Sequence, residues 1–387
     1  MEVTGSRWLL GPSLWLDGAG VVADVRVAAE EPDPVPPWRH ALKRANAARG
    51  WPRRVHSRRT ADDFIALAVE APPDCLSVAA RLNDWAVAGG PGEEMPSLVE
   101  QMATSSRPDQ RAAIAQADER GLPWLLDSEG LTVGLGAGAV TVAERRGNRG
   151  EPVFARREVA CLEQIPWDEV RPVPVALVTG TLGTTATARL LARIAGLAGH
   201  TVGLVCSDGV EIGGEVVPAS DPTGPVATRL VACDPRVTFA ILETSVDGIL
   251  EHGLVLPRVD IAVITGVTGE PAGAHGVTTP QHMAEAALVV AKVARTLVLN
   301  ADDPLLSERE AGAWFSLDHR VEGAWVENGE LVCGDASIRP QPSADPGSDP
   351  AGGQMTVMLA AAAAGRAVGL PAGAIAEALT RHLTASW

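Results

Sequence analysis

Residues 174–198 read PVALVTGTLGTTATARLLARIAGLA. Pro174–Val178 is a short apolar run with strand character, Thr179–Thr185 is a loop of Gly and Thr, and Ala186–Ala198 has the pattern of a helix. A phosphate-binding loop needs that order. Small residues let backbone N–H groups point at an anion, and the following helix turns its positive end towards it. The complete pattern also needs a Lys after the second Gly, and then Ser or Thr. Here Thr184 stands at the lysine position, while Thr185 keeps the hydroxyl that such loops use for Mg²⁺. A strand-to-helix turn with no ligand is the plainer alternative, and the flanking strand and helix favour the phosphate loop over it. The glycine spacing does not fit GxGxxG. No acidic residue ends the next strand as a ribose-binding carboxylate would.

Working outward, strand–loop–helix units repeat. Thr201–Cys206, Phe239–Leu242 and Ile261–Thr265 read as strands, and Met283–Val293 as a helix leading into the strand Thr296–Asn300. Ser343–Gly353 reads as a loop, and the chain closes on an Ala-rich helix from about Met355 and a shorter one from Ala372. Continuous apolar strands alternating with helices predict a mostly parallel sheet covered on both faces. The fold class is therefore α/β: a mixed N-terminal domain over 1–150, a connector over 151–172, and the phosphate-loop domain over 173–387. In the first domain, Trp8–Leu10 and Val21–Val27 read as strands and Glu31–Pro37 as a loop. Ala61–Glu70, Pro96–Met102 and Pro108–Arg120 read as helices, the last ending at Gly121. Two short strands follow at Pro123–Leu126 and Leu131–Leu135. Trp8, Trp15 and Trp124 are expected to fill the core of this domain.

The chain has 387 residues, of which 46% are hydrophobic, and a formal net charge of −16. An acidic surface repels the phosphate backbone, so nucleic acid is not an expected partner. The five cysteines are widely spaced, with no CxxC pair, which predicts neither a disulfide framework nor a structural zinc site. The apolar run Met358–Leu370 is broken by Arg366 and falls short of the ~20 residues a bilayer span needs. The N-terminus does not read as a signal peptide. A cytoplasmic protein without a membrane partner is the expectation.

Several separate motifs now align in order. VALVTGTLGTTATARLLARIAGLAGHTVGLVCSDG is followed by Asp221–Pro225 (DPTGP), Cys233–Leu254, Val259–Gly266 (VDIAVITG), Thr296–Leu306 (TLVLNADDPLL) and the Ala-rich closing helix. Together they resemble the central domain of the Mur ligases, most like the branch found in cyanophycin synthetase, over about Val173 to His382. LLGPSLWLD near the start and Ala113–Gly138 are more weakly similar to the N-terminal domain of that branch. The resemblance implies an ATP-dependent acid–amino-acid ligase, in which ATP phosphorylates a carboxylate and an amine attacks the acyl phosphate. It implies ATP and Mg²⁺ as cofactors. It assigns Gly180, Thr181, Leu182, Gly183, Thr184 and Thr185 to the phosphates, and Thr185 and Glu243 to the metal. Asn300 and Asp303 go to the adenosine, and Asp221 to a loop over the substrate.

The same resemblance exposes departures. Thr184 replaces the phosphate-binding lysine, Gly266 replaces an Asn, and Glu270-Pro271 stands where an Asp-His pair is usual. Ala287 sits where a helix lysine is usual, and Lys292, five residues on, points elsewhere on a helix. The resemblance also leads one to expect a C-terminal lid domain after Trp387 and an ATP-grasp insertion between the two halves, and neither is in the sequence. Two hypotheses stand. One is a ligase-class nucleotide-binding protein with a degenerate loop and reduced or lost activity, which borrows missing parts from a partner. The other is a non-catalytic binding or scaffolding subunit. The partner would be a complete ligase homologue or a second copy of this chain. His275 and His282 fit no metal-ligand spacing and are expected as exposed loop residues.

Overall fold

The computed structural model describes residues 1–49, 54–61, 63–90, 95–127, 130–143, 157–269, 273–334, 336–338 and 351–384. The start of the 151–172 connector, most of the loop expected at Ser343–Gly353 and the Glu270-Pro271 pair lie outside them. The chain divides into two compact units. One comprises Met1–Leu131, Asp247–Pro257 and Glu270–Lys292, and the other Thr132–Val246, Arg258–Gly269 and Val293–Trp387.

The first unit holds an antiparallel sheet with the spatial order Glu2–Leu9, Gly20–Arg26, Phe64–Glu70, Val55–Ala61. Phe64–Glu70 corrects the helix expected at Ala61–Glu70. Its Ala and Leu favour a helix, but six consecutive residues are buried and both edges are hydrogen-bonded to neighbours. A strand covered on both faces reads as a continuous apolar run, so periodicity alone cannot separate it from a helix. Helices Val35–Arg49 and Leu76–Val87 supply much of the core through Trp38, Leu82 and Trp85. Asn83 is fully buried between them. It accepts the Trp38 indole N–H at 2.8 Å and donates to the Leu67 carbonyl at 2.9 Å, which satisfies its amide on both sides.

The expected helices at Pro96–Met102 and Pro108–Arg120 are Met95–Ser105 and Pro108–Glu119. The expected tryptophan core is only partly right. Trp15 is buried under the Arg7 guanidinium, 4.5 Å from its ring centroid, but Trp8 is 49% exposed. Trp8 lies on the sheet's outermost strand, where successive side chains alternate faces. Trp124 is half-buried, donates to Asp118 at 3.0 Å, and lines a cavity of about 800 Å³ shared with Leu10, Cys75, Arg111, Leu254 and Lys292.

The second unit is built on an eleven-stranded sheet. Its middle is parallel, in the spatial order Val202–Cys206, Phe239–Glu243, Val175–Thr179, Val259–Ile264, Ala294–Asn300, Ala313–Ser316, Gly323–Glu327. Antiparallel strands extend both edges. Val175–Thr179, first of these in sequence, lies inside the sheet, and the chain winds away from it in both directions. Helix Thr184–Leu197 and the Ala-rich helix Ala351–Ala367 join one apolar core, with Met358 to Ala364 essentially without exposure. Small side chains let this helix approach its neighbours closely. Among the described residues no helix is long and apolar enough to cross a membrane.

Candidate functional site

The strand Val175–Thr179 is paired on one side with Phe239–Glu243 and on the other with Val259–Ile264. The register sets Glu243 opposite Val178 and Ile264 opposite Thr179, so the three strands end together. Open parallel sheets bind ligands at the carboxyl ends of their strands, where the winding direction changes. The loop leaves Thr179 at this point.

Gly180 makes the exit possible. Its φ is +136°, and a Cβ there would stand 2.3 Å from the Thr265 hydroxyl and 2.9 Å from the Gly266 carbonyl oxygen. Thr181 then ties the loop to the neighbouring strand end. Its N–H donates to the Gly266 carbonyl at 3.0 Å, and its hydroxyl accepts the Thr268 N–H at 2.7 Å. Leu182 is 69% exposed at the tip, and Gly183 is the left-handed N-cap of helix Thr184–Leu197. The bond from Thr187 N–H to the Gly183 carbonyl, 2.9 Å, opens the helical ladder. By helix geometry the N–H groups ahead of it face out of the positive end.

An anion already faces that end. Glu243 is buried, 5% exposed. Its Oε1 accepts the hydroxyls of Thr184 at 2.6 Å, Thr185 at 2.9 Å and Ser207 at 3.2 Å. Its Oε2 accepts the Ser207 N–H at 2.8 Å. Thr184, at the lysine position, therefore turns its side chain onto the carboxylate. Ser207 was not among the expected site residues. The signal was present in the turn Cys206-Ser207-Asp208 that follows the strand Val202–Cys206, but only the sheet order brings that turn beside Glu243. Burial pushes the neighbouring Cys206 thiol upward, with Glu243 adding in the same direction.

No substitute for the lysine comes from Arg189 on the same helix. Its guanidinium donates to Asp208 at 2.7 Å and Glu211 at 3.0 Å, and the Asp208 bond raises its pKa. Lys292 belongs to the first unit. There it donates to the Ser13 and Leu16 carbonyls and to Asp17, and that bond holds the Asp17 carboxyl below its ordinary range. Ala287 is buried in that unit. His275 is a correction: it is half-buried, with Nδ1 2.9 Å from Asp24 and Nε2 3.0 Å from Glu251, in a charge cluster completed by Arg7. Two carboxylates and a turn with φ +52° fix it.

On the other flank, Asn300 ends its strand, donating to the Thr265 carbonyl at 3.2 Å and accepting the Asp302 N–H at 3.0 Å. Asp303 is 5% exposed, and its oxygens accept the N–H groups of Val267 at 2.5 Å and Leu305 at 2.8 Å. The expected residues from Gly180 to Thr185, Glu243, Asn300 and Asp303 thus converge through 265–268 at one end of the sheet. Asp221 stands apart in contact terms. It is exposed and accepts the Thr223 N–H at 3.3 Å, ahead of helix Pro225–Cys233. Among the described residues no group of three or more His, Cys, Asp and Glu side chains forms a metal cluster.

Comparison with known proteins gives this geometry its class. The Mur ligase middle domain family matches residues 178–319. Cyanophycin synthetase from Crocosphaera subtropica is 38% identical over 154 residues, covering 38% of this chain and 18% of that protein. The Synechocystis enzyme is 39% identical over 138 residues, covering 35% and 16%. The chain thus matches less than a fifth of the length of these curated relatives. The solved structure of UDP-N-acetylmuramoyl-L-alanyl-D-glutamate–2,6-diaminopimelate ligase is 18% identical, with a TM-score of 0.45, over 60% of this chain and 53% of that one. The central region is of the Mur ligase middle-domain family. Within that family its sequence is cyanophycin-synthetase-like.

Proposed function

We propose that the chain is a Mur-ligase-family, cyanophycin-synthetase-like protein of the ATP-dependent acid–amino-acid ligase class whose phosphoryl-transfer step is reduced or lost. The observation that carries this reading is at the lysine position, where the Thr184 hydroxyl lies 2.6 Å from Glu243 and offers no charge to a phosphate. Stabilising the transferring phosphoryl group is almost wholly electrostatic, so a missing cation removes several kcal/mol where it is most needed.

The donor set suits Mg²⁺ in part. Thr185 and Glu243 converge on one point, and Mg²⁺ ordinarily takes one or two protein oxygens and completes its shell with water and phosphate. Thr185 and Glu243 would hold that ion, which when bound supplies the charge that neutralises the phosphates. The N–H groups from Gly180 to Thr185 would cradle the phosphates, with Thr181 held in place by Gly266 and Thr268. Asn300 would meet the adenosine. Asp303 serves that contact through the 267 turn it anchors, and Asp221 would belong to the loop over the substrate.

Glu243, whose oxygens already accept three hydroxyls and an N–H, also favours a second reading, a non-catalytic binding subunit. Its partner would be a complete ligase homologue or a second copy. The test is calorimetric titration of ATP–Mg²⁺ together with an assay of phosphate release. The expected outcome is weak or absent binding and no steady phosphate release with amino acids or short peptides. Steady release abolished by Gly183→Asp would overturn the loss of turnover. Light scattering across a concentration series, with and without a co-expressed ligase homologue, tests the second reading. A strictly monomeric chain that ignores the homologue would sink it.

A further inference from the structure

We propose that Thr184 is more than a lost lysine: its hydroxyl antagonises divalent-cation binding by holding the Glu243 lone pair that a cation needs. The inference rests on the metal role given above to Thr185 and Glu243. An ionised carboxylate offers about four lone-pair positions. They are unevenly taken here: the Thr184, Thr185 and Ser207 hydroxyls crowd the two positions of Oε1, the oxygen that Thr185 shares, and the Ser207 N–H takes one position on Oε2. Mg²⁺ requires a near-octahedral shell at ~2.0–2.1 Å and sheds its waters reluctantly, so an ion shared by Thr185 and Oε1 of Glu243 requires at least one of the three Oε1 donors to give way.

The four donors are not equivalent. The Ser207 N–H is fixed by the backbone. Thr185 can turn its proton aside and present its own oxygen to the ion, so its position serves both states. The Ser207 hydroxyl is the longest of the four bonds, at 3.2 Å, and is the easiest to lose. The Thr184 bond is the shortest, at 2.6 Å, and helix Thr184–Leu197 holds its backbone in place. Glu243 is too buried for water to replace that bond readily. Hydrogen bonds to charged acceptors are the strong ones, and breaking this one opposes metal entry.

The test uses the whole chain and Mn²⁺ and Mg²⁺ alone, followed by calorimetry and, for Mn²⁺, by electron paramagnetic resonance of the free ion. Removing the hydroxyl in Thr184→Val is expected to tighten binding about tenfold, which corresponds to ~1.4 kcal/mol. Thr184→Ser, which keeps the hydroxyl, is expected to match the unaltered protein. Adding Glu243→Gln to Thr184→Val is expected to abolish the gain. Thr184→Ala replaces Thr184→Val if the latter does not fold by circular dichroism. Equal affinity in the unaltered protein and Thr184→Val, with Glu243→Gln weakening both, would overturn the antagonist role and leave the metal site standing. Binding indifferent to Glu243→Gln would overturn both, because the ion would then lie elsewhere.

Discussion

At the scale of single residues, the loop was legible where the backbone demands a particular amino acid. Gly180 is such a position, since its φ of +136° and its approach to Thr265 leave no room for a Cβ. Gly180→Ala is expected to cost at least about 2 kcal/mol of stability, read as a lower urea midpoint. An unchanged midpoint would mean the loop has another low-energy path. Glu243 was legible only through family resemblance, because an acid after a strand is commonplace. The turn that carries Ser207 was legible but its place in the site was not, since that depends on two strands distant in sequence becoming neighbours. A further residue effect lies in the last helix, Ala372–Thr384. Burial, with a smaller contribution from Arg193, lowers the pKa of His382. The unfolded chain therefore takes up the proton first as pH falls. The stability involved is complete above the unfolded value of ~6.5 and is lost as pH drops from there through the folded value. Between pH 6.5 and 5, His382→Leu is expected to lose less stability than the unaltered protein in paired denaturation curves. Parallel curves would remove His382 from the account.

At the scale of elements, the five central parallel strands of the second unit were legible to within a residue or two, because buried parallel strands read as short apolar runs between turn residues, whereas Ala313–Ser316, Gly323–Glu327 and the antiparallel edge strands were not expected. The helix expected from Met283 is instead Pro280–Ala287 running into a tighter turn at Leu288–Lys292. Helix Val35–Arg49 escaped notice because its Pro36 and Pro37 suggested a loop. Proline is tolerated in the first turn, where the missing N–H has no helical partner to lose. The Ala-rich helix Ala351–Ala367 was legible as a helix, but its tightness of fit was not. Ala362 has no exposure and its carbonyl accepts the Cys333 thiol at 3.6 Å. Ala362→Leu is expected to overpack this contact and cost about 1–3 kcal/mol, seen as a lower Tm. A neutral result would show slack in the packing that the buried surfaces do not suggest.

At the scale of the whole chain, the boundaries drawn from composition and those drawn by contact differ in kind. A sequence cut near residue 150 follows the linker, whereas the first unit also takes in Asp247–Pro257 and Glu270–Lys292. Composition cannot reveal this, because the later segments join through particular bonds. Arg7 donates to the Leu250 carbonyl at 2.9 Å, Leu10 N–H to His252 at 2.7 Å, and Lys292 to Asp17 at 2.8 Å. A fragment of residues 1–150 would leave the buried Arg7–Asp24 pair without its outer partners, and unmet buried charge is expensive. Expressed alone, that fragment is expected to show poor amide dispersion by NMR or a urea midpoint well below that of the whole chain. A sharp, equally stable fragment would mean the later segments only decorate the unit.

The return of these segments to the first unit bears on the order of events at the ribosome. Domains usually fold as they emerge, N-terminal first, at roughly 5–20 residues per second. Here Leu131 has been made some 160 residues before Lys292 appears, so the opening sheet waits for about ten to thirty seconds without its last bonds. During that interval its outer strand, bearing the exposed Trp8, is the portion of the nascent chain most in need of a chaperone.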